Sequence, residues 1–78
     1  GWGSPVYDRL IQAAGDVGAF VRDPDALVAK LREPDRARAI LADVAASTDQ
    51  AQRIAAEGRL RMHLFREAEA ILVQDEFP

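Results

Sequence analysis

At 78 residues the chain has room for one small domain, but not for a catalytic cleft and a scaffold to hold it. Apolar residues make up 49% and charged residues 29%, a balance that favours a packed fold over disorder. The net charge is −3 and the arginines lie scattered between acids, which excludes the basic footprint of a nucleic-acid binder; no apolar run is long enough to span a membrane, and the absence of cysteine rules out disulfides and thiolate metal sites.

Taken in order, Ser4-Pro5 starts a helix, with Ser4 as N-cap, Pro5 in the first position and Asp8 in the first turn near the positive end of the dipole. Val6, Leu10, Ala14, Val17 and Val21 recur at helical spacing beside Tyr7 and Ile11, which predicts a helix over about 5–21. Gly15 and Gly18 either bend or end that helix early, or let another helix approach closely. Asp23-Pro24 repeats the start signal, and Leu27, Val28 and Leu31 predict a short second helix over about 24–32. Glu33-Pro34 interrupts it, because the residue before proline is biased away from the helical region. Pro34 then opens a third helix, over about 35–46, with Ala37, Ile40, Leu41, Val44 and Ala45 on its apolar face. Ser47 followed by Gln50 reads as a capping box, which starts the fourth helix near residue 48.

That last helix, predicted to about residue 74, is long for so small a domain. At about 100° per residue Leu60, Leu64, Ala68 and Ile71 share a line, Phe65 and Leu72 widen it, and Arg59, His63, Arg66 and Ala70 face away. Asp49/Arg53 and Glu57/Arg61 stand as acid-before-base pairs one turn apart. Arg61 lies in the arc of the apolar line, so either the helix kinks near Gly58 or Arg61 lays its stem along that face with its head at the rim. The pattern predicts an all-α bundle of three to four helices with no strand, as one unit over 1–78.

Candidate chemistry is sparse. His63 is the sole histidine and reads as a solvated surface residue, with no neighbour one turn away able to share a metal with it. Glu67, Glu69, Asp75 and Glu76 read as a solvated acidic helix end. Serine with a positioned histidine, a phosphate-cradling glycine loop and a paired-carboxylate cleft are all missing from the sequence, so no catalytic residue, metal ligand or cofactor is assigned and the chain is read as no enzyme. Trp2 and Tyr7 are the aromatic candidates; Tyr7 is read as a core residue and Trp2 as the one candidate for stacking on a ligand, so the ligand-binding set is otherwise unknown.

Two stretches carry a resemblance. Arg61, Phe65, Ala68, Glu69, Ile71, Leu72, the Asp75-Glu76 pair and Pro78 resemble the pattern that leads into a strand of the larger lobe in the solute-binding proteins of oligopeptide and dipeptide ABC importers. Trp2, Pro5, Tyr7, Asp8, Leu10 and Ile11 resemble the segment that precedes that helix in the same family, with Ser4 where the family more often has asparagine. Residues 16–58 have no counterpart in this resemblance and read as a helical insertion. The resemblance implies a fragment of a periplasmic or surface-anchored binding protein, which captures peptides or similar solutes and passes them to a membrane permease without chemistry. It covers residues 1 to about 15 and 59–78, and the family's ligand-anchoring acid maps to no residue here. It also implies apolar surface left uncovered on the fragment, through which the chain is expected to self-associate. The alternative is a free-standing helical interaction module whose apolar stripe binds a partner helix.

Overall fold

A computed structural model describes the backbone of residues 4–76 and the side chains of residues 4–74; the readings made for Trp2 and Pro78, and for the side chains of Asp75 and Glu76, lie outside these. Five helices follow in chain order: α1 (Pro5–Gly15), α2 (Val17–Arg22), α3 (Asp25–Val28), α4 (Pro34–Ala46) and α5 (Gln50–Glu76). No strand occurs among the described residues, and the chain is a small all-α bundle. None of these helices is long and apolar enough to cross a membrane.

The start of α1 follows its sequence signals: the Ser4 hydroxyl accepts the Tyr7 N–H at 3.3 Å, and Pro5 occupies the first turn. The helix expected over 5–21 is divided at Asp16. Its N–H still bonds back to Gln12 and Ala13, but its backbone leaves the helical region, and its carboxylate accepts the Ala19 N–H at 3.2 Å to cap α2. An aspartate offering its own acceptor beside a glycine of low helix propensity wins over continuation. A Cβ on Gly15 would meet nothing within 4 Å, so of the two readings of the glycines, helix ending fits this position and close approach does not.

The expected helix over 24–32 is only one α turn, α3, prolonged by i→i+3 turns that bond Lys30 N–H to Leu27 and Leu31 N–H to Val28. Between α4 and α5 the expected capping box is displaced by two residues. Ser47 closes α4, its hydroxyl donating to the Asp43 carbonyl at 3.0 Å. Asp49 caps α5 by accepting the Gln52 N–H at 2.8 Å, while the Gln52 amide oxygen accepts both Thr48 N–H and Thr48 Oγ1–H at 3.0 Å.

The long axis of the molecule, 43 Å, is set by α5, whose 27 residues span about 40 Å at 1.5 Å each. The helix runs unbroken through Gly58. Arg61 accounts for this: it stays at the rim, and its Nε–H donates to the Ala14 carbonyl at 2.9 Å, a cation at the negative end of α1. With Val6, Tyr7 and Ile71 packed on the same core, that contact sets α1 antiparallel to α5. On the other flank α4 is antiparallel too, since its Asp43 pairs with Arg59 at 3.6 Å while Glu33 at its head bonds Glu67, about two turns further along α5. Leu10, Ala14, Val17 and Phe20 meet Leu27, Val28, Leu31 and Ala37 around Leu60, Leu64 and Ala68, forming one core.

Two features of α5 differ from expectation. Phe65 and Leu72, read as part of the buried stripe, are 43% and 40% exposed, while His63, read as facing solvent, is 2% exposed. The buried face is rotated toward α4 because the segment leading into α4 covers the His63 side of the helix. The two acid-before-base pairs do not form either: Asp49 serves as a cap, Arg61 goes to α1, and Glu57 pairs with Arg53 at 3.5 Å.

Candidate functional site

The polar centre of the molecule lies where the head of α4 meets the middle of α5. Glu33 precedes Pro34 and leaves the helical region as the N-cap of α4, but its own side chain makes no capping bond. Glutamate is a poor N-cap, and the N–H groups entering the helix need an acceptor. Glu67, 34 residues further along, supplies it. One carboxylate oxygen accepts the Arg32 N–H at 3.0 Å and the other the Glu33 N–H at 2.8 Å. A carboxylate at a helix N-terminus is also favoured by the dipole.

One turn before Glu67, His63 completes the arrangement. Its Nε2 lies 3.2 Å from the Glu33 carbonyl oxygen, a contact that calls for the Nε2-protonated form, and 3.5 Å from Oε2 of Glu67. His63 and Glu67 thus grip both the N–H and the C=O of Glu33 from adjacent turns of α5. Both side chains are buried, Glu67 to 5% exposure, and no buried side-chain nitrogen or oxygen among the described residues lacks a partner. Burial of two polar groups is tolerated because each is bonded.

Sequence reasoning placed His63 on the surface and Glu67 in a solvated acidic cluster; both placements are corrected here. The partners are main-chain groups, which leave no mark in a side-chain pattern. Two signals were nonetheless present: a histidine and a glutamate at i, i+4 directly beside Leu60 and Leu64, and a proline-headed helix without a capping side chain. Of the other candidates, Tyr7 is half-buried against the core, as a core role requires, and Glu69 is exposed. Trp2 lies outside the described residues.

The side chains of Glu33, His63 and Glu67 bring possible ligand atoms within 4.8 Å of one another, so a residue able to share a metal does stand one turn from His63. An imidazole and two carboxylates suit a divalent cation of the zinc class. In the observed geometry, however, Nε2 directs its proton at a carbonyl and both oxygens of Glu67 already accept backbone N–H groups. Metal ligation would require His63 to give up that bond. The arrangement as it stands is a clamp that fixes the entry of α4 against α5.

No protein-family model, curated protein or solved structure matches the chain.

Proposed function

We propose that this chain is a helical structural unit of a solute-binding protein of the peptide ABC-importer kind, working at the periplasmic or outer surface, whose whole captures a peptide or similar solute and hands it to a membrane permease. The observation that carries this reading is the pairing of α1 with α5. The two stretches that resemble that family stand far apart in sequence, yet they pack on each other through Leu10, Ala14, Leu60 and Leu64, with Arg61 closing the end of α1. Of the insertion read over residues 16–58, residues 16–49 form the smaller helices beside the pair, and residues 50–58 are the first turns of α5 itself. The exposed Phe65, Leu72 and Ile11 belong to the same two helices and offer apolar surface to the rest of a lobe.

On this reading the solute site needs an enclosed cleft between lobes, which helices of 78 residues do not build alone. Calorimetry with a mixed di- to pentapeptide pool tests it. The complete gene product is expected to bind saturably in the micromolar range, and the isolated chain to bind nothing. Binding by the isolated chain, weakened by Trp2→Ala, would move the site into this segment; no peptide binding by the complete product would leave the free-standing interaction module as the better reading.

A further inference from the structure

The face of α5 turned away from the core is not uniformly solvated. Between α4 and α5 lies a groove of about 490 Å³ lined by Arg36, Ile40, Gly58, Arg59, Met62 and Arg66, and no carboxylate lines it. Two further depressions adjoin it, each sharing lining residues with it. It shares Arg59 and Ala55 with a depression that reaches Ser47 and Gln52, and Arg66 with one that reaches Arg32, Val73 and Gln74, so the three line up along α5 as one furrowed face. Measured along α5 from Gln52 to Gln74, the furrow is roughly 33 Å long, about six helical turns. Among the described residues its acids are Asp43, already paired with Arg59 at 3.6 Å, and Glu69 at the far end. In a chain of net charge −3 the guanidinium groups of residues 32, 36, 59 and 66 are gathered on one face, although they are scattered in the sequence.

Apolar groups alternate with those charges: Met62 and Val73 are 51% and 52% exposed, and Ile40 is half-buried. Gly58 lies in the floor of the furrow, and a Cβ there would meet nothing within 4 Å. A mid-helix glycine costs about 1 kcal/mol relative to alanine, and no contact inside this molecule needs the missing side chain. The space is open to something approaching from outside. α5 runs along the whole furrow and α4 walls it from Ser47 to Arg36, with Arg32 of the segment before α4 at the far end, so there is no strand edge to extend and an occupant must bring a satisfied backbone of its own.

We propose that the α4/α5 furrow is a docking surface for an acidic amphipathic helix of a partner protein, with apolar anchors on Ile40, Met62 and Val73, its closest approach at Gly58, and carboxylates facing Arg36, Arg59 and Arg66. The length and openness of the furrow suit a helix laid along it.

Fluorescence anisotropy tests this with a labelled helical peptide of Glu, Leu and Ala about six turns long, against the same peptide with Lys in place of Glu. The acidic probe is expected to bind, more weakly as salt rises, and the basic one not to bind. Arg36→Glu with Arg66→Glu is expected to weaken binding about tenfold or more. Gly58→Leu fills the floor and should abolish binding while the melting temperature holds or rises, which separates a blocked furrow from a damaged fold. Failure of the acidic probe to bind, equal binding of both probes, indifference to these variants, or binding confined to vesicles of anionic phospholipid would each overturn the proposal.

Discussion

The two flanks of α5 are held by different physics. Against α1 the helix presents Leu60, Leu64 and Ala68 to Leu10 and Ala14, apolar surface meeting apolar surface at helical spacing. Against the head of α4 it presents His63 and Glu67, which grip main-chain groups of Arg32 and Glu33. The first contact is non-directional apart from the Arg61 bond to the Ala14 carbonyl at its end. The second fixes a register, because a displacement of even one residue would carry Glu33 out of reach of both side chains. The comparison assigns bulk stability to the α1 side and the placing of α4 to the polar side.

The largest expected effect is therefore on the apolar flank. Leu64 is fully buried, and Leu64→Ala is expected to cost about 2–4 kcal/mol in urea titration. In a domain this small that is a large share of total stability. On the polar flank Glu67→Ala should cost about 1–3 kcal/mol, since two backbone N–H groups lose their acceptor, with water at the exposed Arg32 and Glu33 recovering part of the loss. The two variants differ in kind as well as size: Glu67→Ala should speed amide exchange at Arg32 and Glu33 ahead of the core, whereas Leu64→Ala should raise exchange everywhere. A Glu67→Ala protein as stable as Glu69→Ala, with those two amides still protected, would refute the clamp.

How much of this was legible in the sequence follows the same division. Leu60, Leu64 and Ala68 announce the apolar flank by spacing alone, and Ser4-Pro5 and Pro34 mark helix starts where they occur. His63 and Glu67 were misread because polar residues at the edge of a stripe look the same whether water or a distant main chain meets them. Phe65 and Leu72 failed in the opposite sense: spacing gives the width of an apolar arc, and only the neighbours decide which part of it is covered. The start of the last helix was misplaced by two residues because Ser47, Thr48 and Asp49 are all competent caps, and Asp49 took the role while the Gln52 side chain turned to Thr48. The gathering of Arg36, Arg59 and Arg66 depends on how α4 lies along α5, which no local pattern encodes.

A smaller effect is expected where the apolar flank ends. Arg61 is exposed, so its bond to the Ala14 carbonyl competes with water, and Arg61→Ala should cost about 0.5–1 kcal/mol through the lost hydrogen bond and the lost stem contact. Arg53, paired only with Glu57 one turn away, gives the reference: Arg53→Ala should change stability by less than about 0.5 kcal/mol. If the two arginines prove equal in thermal melts, the closure of α1 by Arg61 contributes nothing beyond an ordinary surface pair.

The smallest effect has the opposite sign and sits on the face that neither flank covers. Gly58 is in mid-α5, and an added Cβ meets no atom within 4 Å, so Gly58→Ala introduces no clash. Alanine loses less backbone entropy on folding than glycine, and the substitution should stabilise the protein by about 0.5–1 kcal/mol, read as a higher urea midpoint with an unchanged slope. The same methyl group narrows the floor of the furrow only slightly, whereas the leucine of the docking test fills it. Alanine and leucine should then agree in raising stability and differ in binding of the acidic probe, with the alanine variant retaining most of it. A destabilised Gly58→Ala protein would mean that helix α5 needs its glycine for its own backbone, and the argument that the space serves an outside partner would lose its footing.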